Sequence, residues 1–573
     1  MLPTELYIVI LTDLDYRNLL KCMQVCSLFR DLILGTASLQ YIIELALAKQ
    51  IDGPLSTAPS SGRLELLKNH QSAWENLEWS REVKIPMENG GLWELYGGVL
   101  AQSKDDGAIV FHQLPSDLRS IDAKTWTVGP DFGMIVRDFA MDSSQDLLVL
   151  IESPDWSLPD SGLEYRVHLR SLSTGKPHPH AAQAILPLPQ AVRDLFVSYT
   201  IQIFGNLLAV LFNPSSAGEN EIAIWEWKKG TSLMDIFNDD ILSFSLLSDE
   251  WVVLSIIDIF GSPCLAAINF KEESSERHDL QEVRFAFIFE YPELHQGVFS
   301  SDIEIHSNPG TLSQIELTVP FSGDPTDFLL TVSLWLVVNG VPRCLIHFIP
   351  SSYLMSRINS RNQSSETDNA FFWSDWGPDR TRMLFPNQNP SEIWVCYVMG
   401  TKFTVSEPLS EGQCGYSVRL YDFNQLALGK YIKTSQQFDT EAPKGIKTSQ
   451  SDAEAPKGIK LSPTVIRSKE AFEEETTTCL PFRTQTLVLE DAHGHCTALC
   501  SEDHIIVVDV STTDDQRLPL TDCGMVPICT ARMQRIPSTS ILADFDSVAK
   551  MRCNVSRHMR TMRGFVRLRP NSL

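Results

Sequence analysis

The sequence predicts an α+β multidomain chain, a small N-terminal helical module followed by a mainly β body with the repeat of a degenerate β-propeller. Three observations carry that reading. Of the first 34 residues 21 are apolar, 62% against 43% for the whole chain. After Lys84 the pattern changes to short apolar runs split by Gly, Pro, Asp and Ser. Those runs recur as strand pairs at intervals suited to propeller blades.

At the N-terminus, Pro3 sits where a first helical turn tolerates proline, and Glu5 lies where a helix start favours negative charge. Leu2, Leu6, Val9 or Ile10, and Asp13 follow helical spacing, so a first helix should end near Thr12. A second helix from about Arg17 should carry Cys22, Val25 or Cys26, Phe29 and Ile33 along one stripe, with Leu28 and Leu32 on the adjacent face. Helices this short share too little interior to hide so many apolar side chains. The surplus marks either a partner surface or the first layer of a larger domain.

The connector and body follow in order. Gly35 can stop a helix, Leu39 to Lys49 offers another apolar stripe, and Gly53-Pro54 through Gly62 is rich in turn residues. Arg63 to Trp79 is again helical in pattern, with Leu64, Leu67 and Trp74 available for packing. In the body, Gln145–Leu150 recurs as Gly205–Val210 and as Asp249–Leu254, each a polar turn leading into a buried strand. Second strands follow at Tyr165–Leu169, Ile222–Trp227 and Cys264–Ile268. The segments Leu169–Lys176 and Trp225–Gly230 resemble blade-closing strands that end in a turn. Later pairs are Ile393–Val398 with Val418–Phe423, and Thr497–Cys500 with Ile505–Val510. Residues 85 to 530 leave room for six or seven blades; a β-sandwich or two smaller β domains are the rival arrangements.

Two stretches interrupt the body. Residues 356–370 are polar and expected to form a mobile loop. Within 430–478, Glu441–Lys447 returns at Glu454–Lys460, the mark of an expanded flexible loop.

Composition excludes several classes. A chain of 573 residues and 64.4 kDa holds more than one folding unit. Its formal charge of −25 argues against a generally basic nucleic-acid binder. The charge is uneven, since residues 551–573 contain six arginines and no acid. The longest apolar run, Leu329 to Val338, is half of a membrane span, and Glu5 and Asp13 interrupt the apolar start, so no secretory signal is expected. Twelve cysteines at irregular spacing suit a reducing compartment, cytosol or nucleus. There the sequons at Asn362 and Asn554 would be chance matches.

Little catalytic chemistry is legible. His493-x-His495-Cys496-x3-Cys500 holds zinc-ligand residue types, but strand alternation turns neighbours to opposite faces, so no metal is expected. Cys22 and Cys26 are best read as small buried apolar residues. Neither a nucleophile elbow, a His-Glu-x-x-His motif nor a phosphate loop occurs; Gly429-Lys430 lacks the flanking residues. No catalytic residue and no cofactor is expected. Trp373 and Trp376, beside Asp375, Asp379 and Arg380, could line a recognition surface, although such aromatics more often fill a core.

The spacing Leu2-Pro3-x-Glu5-Leu6-x3-Ile10-Leu11-x2-Leu14-Asp15, continuing to Leu19-Leu20 and Val25-Cys26-x2-Phe29-Arg30, resembles the F-box. That resemblance covers about the first 45 residues. It implies a helical module binding a Skp-family adaptor, and through it a cullin, with Leu2, Pro3, Leu6, Ile10, Leu11, Leu14, Leu19, Val25 and Phe29 as its core and adaptor face. The expected organisation is an F-box over 1–45, a helical connector over 46–84, a propeller-like recognition body over 85–530 and a segment with a basic tail over 531–573. The chain would then be a non-catalytic substrate receptor of a ubiquitin ligase for a target the sequence does not name. The alternatives are a non-ligase scaffold or an enzyme built on the β domain.

Overall fold

The computed structural model describes residues 3–53, 56–78, 83–86, 88–152, 166–187, 197–214, 219–258, 260–308, 318–362, 369–386, 398–409, 415–432, 458–489, 495–510, 524–527 and 530–533. The basic tail, most of the duplicated segment, Leu2, His493 and the strand expected before Val398 lie outside those residues.

Five helices open the chain: α1 (Thr4–Thr12), α2 (Tyr16–Val25), α3 (Ser27–Gly35), α4 (Ala37–Ala48) and α5 (Ser60–Asn76). The first ends where its spacing predicts. Asp15 caps α2 by accepting the Asn18 N–H at 2.8 Å. The single helix expected from Arg17 onward is broken in two by Cys26, which is extended at φ −158° and ψ 163°. Cys26 is therefore exposed rather than part of a buried stripe, while Cys22 packs against the core. The break lets Leu19 and Ile33 face one interior together with Leu11, Leu39 and Ile43.

From Trp93 to Leu489 six sheets follow one another, each built on four antiparallel strands. The repeated sequence pairs are the second and third strands of the second, third and fourth blades: Leu147–Glu152 with Arg166–Ser171, Leu207–Pro214 with Glu221–Glu226, and Trp251–Ile257 with Pro263–Asn269. The closing strands are Ile185–Pro187 and Thr231–Phe237, so Leu169–Lys176 and Trp225–Gly230 end at the turns that lead to them. Val418 lies in Tyr416–Asp422, whose neighbours are Lys402–Pro408 and Phe482–Leu489 rather than the segment before Val398. A seventh sheet joins His495–Cys500, His504–Val510 and two later strands to Lys84–Ile85 from before the first blade.

Apolar clusters bridge each blade to the next, as wedge-shaped sheets around an axis require. One cluster unites Trp93 and Leu95 of the first blade with Leu499 and Ile506 of the seventh sheet, which closes the ring. The apolar run Leu329–Val338 is a fully buried central strand. The polar stretch after Ser356 is helical as far as Asn362, because Leu354 and Ile358, one turn apart on helix Ser351–Asn362, are wholly buried.

Trp376 is buried and Trp373 partly so, packed with Tyr291, Phe289 and His347; this cluster is core, not a recognition surface. Tyr291 Oη and His347 Nδ1 are hydrogen-bonded at 2.8 Å, and burial lowers the imidazole to a pKa of about 3. The folded state thus resists a proton that the unfolded chain accepts near 6.5. Its contribution is complete above that value and is lost as pH falls toward 3, at about 1.4 kcal/mol per pH unit. Buried His70, His168 and His178, also held low by burial, bend stability in the same direction. Denaturant titrations at pH 7, 6 and 5 should show a shallower decline for His347→Phe than for the native chain; equal slopes would contradict this account.

Candidate functional site

The N-terminal module divides the predicted site residues into two groups. Leu11 and Leu19 are buried, with Leu14 and Phe29 packed partly against them; Phe29 meets Tyr7 edge to face at 5.8 Å. Pro3 is exposed, as are Leu6 (47%), Ile10 (54%) and Val25 (70%). Val9, Leu20, Leu28 and Leu34 join the exposed set; the first three stand within or beside the spaced pattern, but spacing alone gave no means of placing them outside. The cause is geometric. α1 reads Thr-Glu-Leu-Tyr-Ile-Val-Ile-Leu-Thr, apolar nearly all round, and the three other short helices of the module cover only one side of it. Leaving so many large apolar side chains in water is costly for a monomer and typical of a partner surface.

α4 is the hinge of the arrangement because both its faces are used. Leu39 and Ile43 complete the module's interior, while Tyr41 and Leu45 pack with Leu67 of α5 and with Phe321 of the body. Phe321 belongs to the connection between the first two strands of the fifth blade. There Phe321–Gly323 pairs antiparallel with Gln50–Asp52, extending a body loop into the connector. Tyr41 Oη donates to Pro320 O at 2.6 Å, Asn424 Nδ2 to Leu47 O at 2.7 Å and Lys430 Nζ to Glu44 at 3.1 Å; Lys49 also pairs with Asp327. Gly53 is needed at this crossing, since a Cβ there would lie 1.8 Å from Val319 O.

α5 anchors the connector a second time. Trp74 packs on Val418, Leu420, Ile505 and Val507, and its Nε1 donates to Glu502 O at 3.0 Å. His70 Nε2 lies 3.1 Å from Asp503 Oδ1, and Arg119 of the first blade forms ion pairs with Asp503 and Glu502. Burial alone would raise the Asp503 carboxyl. The Arg119 guanidinium and His70 instead hold it well below the usual carboxylate range. Burial also favours the neutral form of His70, so the network rests on Arg119 between two carboxylates, with His70 contributing a hydrogen bond rather than a fourth charge.

All these anchors lie on one face of the ring, the one carrying the first-to-second and third-to-fourth strand turns. The opposite face carries the second-to-third strand turns and the links between blades; the anchors of α4 and α5 named above all lie away from it. Phe260 (84% exposed), Ile135 and Val341 lie on that opposite face.

The zinc-type cluster is not assembled by the described residues. Cys500 is buried beside Trp74 with its thiol pushed up to about 12 by burial, while the side chains of His495 and Cys496 lie outside the described residues. Lys430 of the Gly-Lys pair is held by Glu44.

The WD40 domain of SCAP from fission yeast matches at 7% identity and a TM-score of 0.30, covering 79% of this chain and 95% of that one. No curated protein matches the chain. The family described as F-box-like matches residues 1–39. The chain therefore joins an F-box-like helical module, through a doubly anchored connector, to a mainly β propeller body.

Proposed function

We propose that this protein is the substrate receptor of a cullin-type ubiquitin ligase. The single observation that carries the reading is the F-box-like match over residues 1–39, on a module whose Leu6, Ile10 and Val25 lie open to solvent. A Skp-family adaptor would cover that surface and bring a cullin with it. The connector would set the angle at which the body faces the rest of the assembly. A target protein would dock on the ring face opposite the connector. Other subunits would perform the transfer, and this chain would raise the effective concentration of a target lysine near charged ubiquitin, so no side chain here need act as a nucleophile. A cytosolic or nuclear setting belongs to this proposal.

Affinity purification of the tagged full chain tests it. Recovery of both adaptor and cullin supports the receptor. Adaptor without cullin supports a scaffold in a non-ligase assembly, and recovery of neither overturns the assignment.

A further inference from the structure

Neighbouring blades diverge from the axis outward, so the space between them widens and larger side chains are needed to fill it. Between the fifth and sixth blades one wall is filled by aromatics: Phe348, on the third strand of the fifth blade, lies 5.0 Å from Phe403 and 4.7 Å from Phe423, centroid to centroid. Beside these rings the filling fails toward the outer strands. Strand register places Phe403, Tyr421 and Thr484 in one row across the sixth blade, and Val405, Arg419 and Thr486 in the next. The outermost member of each row is a threonine, too short to reach Leu384 and Phe385 of the fifth blade. The gap is a cavity of about 430 Å³ with aromatic walls, within the range of small-molecule sites.

Its polar groups are few and unequal in sign. Arg419 is already occupied by Glu407 at 2.9 Å. Lys460 is exposed at the edge of the cavity and has no carboxylate partner among the described residues. The strand carrying Lys460 runs beside Phe482, and Gly458 O accepts the Thr484 N–H at 2.8 Å, which brings lysine and threonine to one end of the cavity. Thr484 Oγ1 is buried there without a hydrogen-bond partner. A buried hydroxyl left unsatisfied is costly, and an unpaired cation beside it favours an anion.

We propose that this inter-blade cavity binds a small aromatic carboxylate. The ring lies among Tyr421, Phe482 and Phe385, and the carboxylate accepts from Lys460 Nζ and Thr484 Oγ1. The proposal is independent of the ligase assignment.

Calorimetric titration of the full chain with 2-naphthoate and with its neutral analogue 2-naphthamide tests it. Naphthoate should bind with submillimolar affinity. Lys460→Gln should weaken naphthoate about tenfold, the scale of one charge-assisted contact, and leave naphthamide unchanged. Thr484→Leu, which fills the cavity and removes the hydroxyl, should abolish binding of both. No naphthoate binding at about 1 mM would overturn the proposal, as would equal naphthoate affinity in the native chain and Lys460→Gln. Lys460 is a surface residue, so that variant remains informative even if Thr484→Leu disturbs folding.

Discussion

Ile10→Asp combined with Val25→Asp is expected to abolish capture of a Skp-family adaptor while leaving thermal unfolding of the chain almost unchanged. Both side chains are more than half exposed, so a carboxylate at either stays in water in the free protein and alters stability by no more than about 0.5 kcal/mol. In an apolar interface each would be buried unpaired. A central contact of that kind costs about 2 kcal/mol or more, so two together exceed a hundredfold in affinity. Phe29→Asp would be a poor substitute, because Phe29 packs on Tyr7 and the module's interior, and lost binding would then report lost folding. Pull-down of the adaptor alongside a circular-dichroism melt separates the outcomes. Full adaptor binding by the double variant would remove the proposed surface.

How much of this was readable from residues alone differs between the two halves. Apolar spacing located the helices of the module, and alternating runs such as Leu147–Leu150 located the blades, because both signals are local. The division of the module into core and surface was not local. Leu11 and Ile10 are adjacent and chemically alike, and only the packing of α4 across α1 buries one and exposes the other. The extended Cys26 carries no breaker residue; the demand that Leu19 and Ile33 share an interior overrides helix propensity there. Ser351–Asn362 has a polar composition that resembles a loop, and two buried side chains one turn apart outweighed it. The docking partners of the connector lie about 280 to 430 positions away, which no window along the sequence can register.

Phe321→Ala should loosen the first half of the connector from the body, the second large effect. Phe321 is fully buried among Tyr41, Leu45 and Leu67, and meets His70 edge to face at 5.3 Å. Truncating such a ring costs about 3–5 kcal/mol in lost burial and cavity. The surrounding contacts seat α4 and the start of α5, while Trp74 still holds the end of α5 on the body, so the loss should appear as local opening rather than global unfolding. Trypsin should then cut at Lys49 and Arg63 under conditions that leave the native chain intact, since Lys49 pairs with Asp327 of the body, and Asp52, the partner of Arg63, lies on the strand that pairs with Phe321–Gly323. Phe372→Ala, removing a ring that is 56% exposed, should leave the digestion pattern unchanged. Identical patterns for the two variants would show that the connector is not seated through Phe321.

The anchoring of α5 also orders events during synthesis. The interior of the first four helices is made wholly of residues up to Leu47 and can close as soon as they leave the ribosome. Trp74 and His70, however, must wait for Glu502 and Asp503, and Lys84–Ile85 pairs with a strand later still. At about 5–20 residues per second that interval is roughly 20–85 s. A nascent chain therefore displays a finished helical module, with its apolar surface open, long before the ring behind it can shut.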